Sequence, residues 1–191
     1  MPRRHQSLSA TALLVEVRAG SNPGARPSRP SEHPSSESGA HPQEPTPGTF
    51  GPGQGVSFTL ESNHPRPHTR VSLVAMILPT NDGFIALDNV RLPRGGRAAT
   101  HYLPGYDAGT EGNSEIRQSG GGLDDAGFPI PPPLEATVGD GGSGISAGAE
   151  GFVTVHRGVL GDSDDAGGTS DIDSRVHRWK NPMARVTIQR Q

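Results

Sequence analysis

Each apolar run in this chain is short, rich in β-formers and closed by a turn, which leaves little room for anything but short strands. Val56, Phe58 and Leu60 alternate with Ser57 and Thr59, the period of a strand with one face buried. Residues 71–78 form a continuous β-compatible run, the pattern of a central strand covered on both faces. Pro79-Thr80-Asn81-Asp82-Gly83 is a turn, and strand-like runs at 84–87 and 90–92 follow it. Residues 93–97 turn again, and 100–103 form a further strand. Residues 152–156 and the alternating 184–188 complete the set. Residues 112–150, rich in Gly, fit a long insertion on one side of a sandwich. No segment has a helical period. The expected fold is an all-β antiparallel sandwich.

The boundary of that fold follows from composition. Apolar residues are only 30% of the 191, and 27 Gly with 19 Pro make up nearly a quarter. Such a chain is expected to leave part of itself outside the core. Residues 19–55 carry almost no large apolar side chain, so the expected division is a low-complexity tail over 1–54 and one domain over 55–191. Residues 7–18 have strand and helix as open alternatives.

Several function classes drop out. A net charge of −3 gives no basic footprint for nucleic acid, and 4% aromatics give no stacking platform. With no Cys there are no disulfides, thiolate ligands or Cys nucleophile. The longest apolar run is far too short to span a bilayer, and the basic start at residues 1–5 leads into a poor signal peptide. The eight His show no zinc-hydrolase spacing. His33, His41, His64 and His68 fall in Pro-rich or turn contexts, and His101 and His156 on strands. Gly142-Ser143-Gly144 lacks the strand–helix setting of a nucleophile elbow.

The informative chemistry is acidic. All 11 Asp lie at or after residue 82. Two Gly-containing turns, around Asp82 and over Asp107-Ala108-Gly109-Thr110-Glu111, put carboxylates beside β-type runs. Hard oxygen donors at the end of a sandwich suit Ca2+. The alternative for each Asp is ordinary turn composition. A second acidic stretch, residues 162–173, sets Asp162, Asp164, Gly167 and Asp173 in EF-hand positions. It lacks the bidentate Glu and the flanking helices, so it reads as a solvated loop.

Residues 55–190 resemble the spondin N-terminal domain family. The resemblance rests on Gly53-Gln54-Gly55-Val56-Ser57-Phe58, on residues 78–88, on Tyr102-Leu103-Pro104-Gly105-Tyr106-Asp107-Ala108-Gly109-Thr110-Glu111 and on residues 179–188. It implies a C2-like β-sandwich with a Ca2+ held by Asp82, Asp107 and Glu111; Asp88 also fits the family pattern. Glu111 departs from the commoner Asp. The family also has strand sequence before Val56, where residues 19–50 offer none. The implied function is a non-enzymatic Ca2+-binding adhesion or recognition module, secreted or at the cell surface, with a surface protein or glycan as partner. Two alternatives stand beside it: a hydrolase using Asp107 and Glu111 as acid and base, and a structural domain with a vestigial metal site.

Overall fold

A computed structural model describes residues 11–19, 50–62, 69–119, 127–145, 148–164 and 166–190. Among the described residues, eight strands form two four-stranded antiparallel sheets. The first sheet contains β1 (Thr11–Ala19), β2 (Gly55–Ser62), β5 (Ala98–Leu103) and β8 (Ala184–Arg190), in the order β2-β1-β8-β5. The second contains β3 (Arg70–Met76), β4 (Gly83–Arg91), β6 (Tyr106–Asp107) and β7 (Thr154–Val155), in the order β3-β4-β6-β7. The all-β expectation holds. Among the described residues the helical content is a 3-10 helix at Pro132–Thr137 and the four-residue helix α1, Ser174–His177.

Of the alternatives for residues 7–18, the described part, from Thr11 onward, is strand. β1 pairs with β2 on one side and β8 on the other, so the sandwich includes a segment assigned by composition to the tail. The remainder of that tail, apart from residues 50–54, lies outside the described residues.

Residues 71–78 are not a central strand. β3 is an edge strand whose exposure alternates, with Val74 71% and Met76 51% accessible. An unbroken apolar run reads as two-sided burial, but here the outward positions are apolar without being covered. The expected strand at residues 152–156 is reduced to Thr154–Val155.

Alternation elsewhere matches the sequence. Ile85 and Leu87 of β4 and Val186 and Ile188 of β8 meet between the sheets, with Ile77, Leu92 and Leu103 completing the main core. A second, smaller core lies in the irregular half of the chain, where Phe128, Leu134, Val138, Val159 and Ile172 gather. Trp179 packs against both clusters.

Candidate metal centre

Asp82 stands where β4 begins. Thr80 shapes the turn before it: its hydroxyl donates to the Ile77 carbonyl at 2.5 Å and accepts from the Gly83 amide at 2.9 Å. Gly83 is required by close approach, since a Cβ there would lie 2.6 Å from Thr80 Oγ1 and 3.1 Å from the His156 ring. The pairing of Gly83 with Asp107 then sets the two acidic turns side by side.

The Asp107 turn is wrapped around Asp82. One carboxylate oxygen, Asp82 Oδ2, accepts from the Thr110 amide (2.7 Å), the Thr110 hydroxyl (2.8 Å) and the Glu111 amide (3.0 Å). Asp107 folds its own turn, with Oδ1 accepting from Gly109 N at 2.8 Å and Oδ2 from Asn113 Nδ2 at 2.6 Å. Gly109 has φ +70, and a side chain there would run into the Phe152 backbone.

Among the described residues, three buried polar atoms here find no hydrogen-bond partner: Asp82 Oδ1, Glu111 Oε2 and His156 Nε2. Burial raises the Glu111 carboxyl above its ordinary value; a hydrogen bond from Asn81 opposes this and the Asp82 charge reinforces it. Two carboxylates that repel each other, each with an unpartnered inward oxygen, form an incomplete charge arrangement that a cation would complete.

His156 is not a candidate ligand. Its Nδ1 accepts from Gly158 N at 2.9 Å, so in the neutral ring the proton sits on Nε2, leaving no free lone pair. That Nε2 lies 4.0 Å from Asp107 Oδ2, beyond hydrogen-bond reach. The donors that remain are oxygens, the preference of Ca2+ rather than of a softer metal.

The three sequence candidates are therefore neighbours with different surroundings. Asp82 and Glu111 each keep an unpartnered oxygen, whereas both oxygens of Asp107 already accept a hydrogen bond. Among the described residues no group of three or more His, Asp or Glu side chains is placed to hold a metal ion by itself. The rest of a Ca2+ shell would come from main-chain or amide oxygens and water. Asp88 is away from this end, accepting from the Ser72 hydroxyl at 3.0 Å.

The acidic 162–173 loop is folded on its own carboxylates. Asp162 accepts from the amides of Asp164, Thr169 and Ser170, and these bonds hold its carboxyl below the usual range. Asp173 caps α1 and pairs with Arg175, which lowers it likewise.

Sequence reasoning missed two carboxylates of the same kind. Glu115, at φ 56, is buried and accepts from Leu160 N, Gly161 N and Ser170 Oγ, with Arg157 3.6 Å away. Asp171 accepts from Arg117 N and Gly142 N, both at 2.8 Å. Apart from the Ser170 hydroxyl, their partners are main-chain amides 29 to 54 residues distant, which no local motif announces.

No family model, curated protein or solved structure matches the chain. The chemistry of the site thus stands on its own geometry.

That geometry fixes a pH response. Burial lowers both His156 and His177, the latter against the pull of its 2.8 Å contact with the Thr137 carbonyl and the Asp173 charge. The unfolded chain then binds protons first. Stability is complete above the ordinary His value near 6.5 and falls as the pH drops from there toward the lowered folded values. Urea midpoints between pH 7.5 and 5 are expected to decline. His177→Gln, which keeps a donor for Thr137, should flatten part of the slope; an unchanged slope would remove His177 from the account.

Proposed function

We propose that this chain is a non-enzymatic, Ca2+-stabilised recognition module acting outside the cell or at its surface, with a protein or glycan as partner. One observation carries the metal part: the buried, unpartnered Asp82 Oδ1 and Glu111 Oε2 on adjoining, tightly hydrogen-bonded turns. Asp82 and Glu111 would hold the ion directly, and Asp107 would shape the turn that carries Glu111. Bound there, Ca2+ supplies the positive charge that two neighbouring carboxylates lack, and it ties the start of β4 to the loop after β6. The setting outside the cell rests on the resemblance to spondin domains. Recognition is favoured over hydrolysis because the unpartnered oxygens are buried and Asp107 is engaged by Gly109 and Asn113, leaving no exposed acid–base pair there.

The test is thermal unfolding of the full chain with Ca2+ and with a chelator. An ion that binds only the folded state stabilises it by about 2.7 kcal/mol at a hundredfold excess over Kd. The wild type is expected to gain several degrees, about 2–4 °C per kcal/mol at this size. Asp82→Asn and Glu111→Gln should each remove the gain. Asp107→Asn should lower the starting stability and retain a gain. A wild-type melt indifferent to Ca2+ would reject the metal reading.

A further inference from the structure

The outer face of the second sheet is apolar from edge to edge. Met76 of β3 lies opposite Phe84 of β4, Phe84 opposite Tyr106 of β6, and Tyr106 opposite Val155 of β7. This single row crosses all four strands, with the Phe84 and Tyr106 rings 5.7 Å apart. Val74, opposite Ala86, continues it along the strands on one side, and Val153 on the other. Val74, Met76, Val153 and Val155 are 51–71% accessible, so the patch is open. A contiguous apolar surface of this kind marks an interaction site.

Its ends carry opposite charge. Arg70 and Arg91 are directly paired where β3 begins and β4 ends, and both are exposed; the exposed Asp88, bonded to Ser72, lies beside them and offsets part of their charge. The exposed Arg94 and Arg97 follow in the adjoining turn. At the far end, beyond the Asp107 turn, the exposed Glu150 precedes Gly151, whose amide is bonded to the Gly109 carbonyl.

We propose that this face binds a second copy of the chain, outer face to outer face, with the strands of the two copies antiparallel. A two-fold axis lying between the faces and across the strands brings the apolar rows together. It sets the Arg70–Arg91 end of each copy against the Glu150 end of the other. The parallel alternative opposes like charges and is disfavoured by the same arrangement. Sheets pack face to face about 10 Å apart through side chains of this kind. With strands about 4.8 Å apart and about 3.4 Å per residue, the seven residues of β3, nine of β4 and two each of β6 and β7 offer roughly 330 Å2 per copy. That is well below the roughly 800 Å2 of a standard stable interface, so the dimer is weak, reversible and concentration-dependent. The proposal does not depend on the metal reading.

Sedimentation equilibrium of the full chain over a wide concentration range, with Ca2+ and with chelator, reads the association. A reversible monomer–dimer equilibrium is expected. Met76→Asp should weaken it at least about tenfold, since it buries a charge in the apolar row. Arg91→Glu and Glu150→Arg should each also weaken it about tenfold. Mixing these two charge variants should restore a dimer, because each supplies the complement of the other. A wild type that stays monomeric at every concentration overturns the proposal. So does a dimer indifferent to Met76→Asp, and so does failure of the mixture to associate. Binding of the monomeric chain to vesicles or to another protein through this face would assign the surface to a different occupant.

Discussion

Glu115→Ala is expected to cost about 3–5 kcal/mol, the range for removing one partner from a buried, hydrogen-bonded charge pair. The wild-type carboxylate serves two amides and the Ser170 hydroxyl, beside the Arg157 guanidinium. Alanine leaves those donors, two of them part-buried and the Ser170 hydroxyl buried, without their acceptor, and each buried orphan costs about 1–3 kcal/mol. Arg157 is partly solvated, which moderates the total. Glu115→Gln keeps the shape and one acceptor oxygen, so its loss should be smaller. The comparison is a pair of urea titrations, read from the midpoints at constant slope. A loss below about 1 kcal/mol for the alanine variant would mean that the three donors find other partners.

Phe128→Ala is expected to be of similar size, about 3–5 kcal/mol, for a different reason. The ring is completely buried in the second core, among Leu134, Val138, Val159 and Ile172. Its amide and carbonyl are bonded to Ile116 O and Gln118 N, so the backbone around it is fixed. Truncation leaves a cavity that this anchored segment cannot collapse to fill. The loss should be accompanied by faster proteolysis within residues 112–175, while β8 and β4 stay protected. If protection falls equally across the main sheets, the second core has no independence from the first.

The strands that form the main core were legible because their side chains alternate. Val186, Ile188, Ile85 and Leu87 declare a buried face in their own spacing. β1 was hidden because no turn signal joins it to its neighbours in space, and the segment between it and β2 has the composition of a tail. β3 misled for the opposite reason: Val74 and Met76 lengthen an apolar run, but run length does not say whether the outward side is covered. At the candidate site, the turn residues Thr80, Asp82, Gly83 and Gly109 were visible as turn chemistry. That Asp82 keeps a free oxygen and Asp107 does not depends on Thr110, Glu111 and Asn113 arriving with particular geometry. Glu115 and Asp171 were invisible, since a carboxylate gathering amides from distant loops leaves no periodic trace.

Trp179, the single tryptophan, belongs to both clusters and lies with its ring 5.0 Å from His156, while its indole edge approaches Gly105. It is therefore a hinge-pin between a sandwich organised by strand pairing and a lobe organised by carboxylates. Both parts have an apolar core, but only the second adds buried carboxylates that gather main-chain amides, so acid and salt act on them unequally. Because the indole contacts both, its emission follows the seam itself, and any loosening of one part against the other is recorded by a fluorophore the protein already contains.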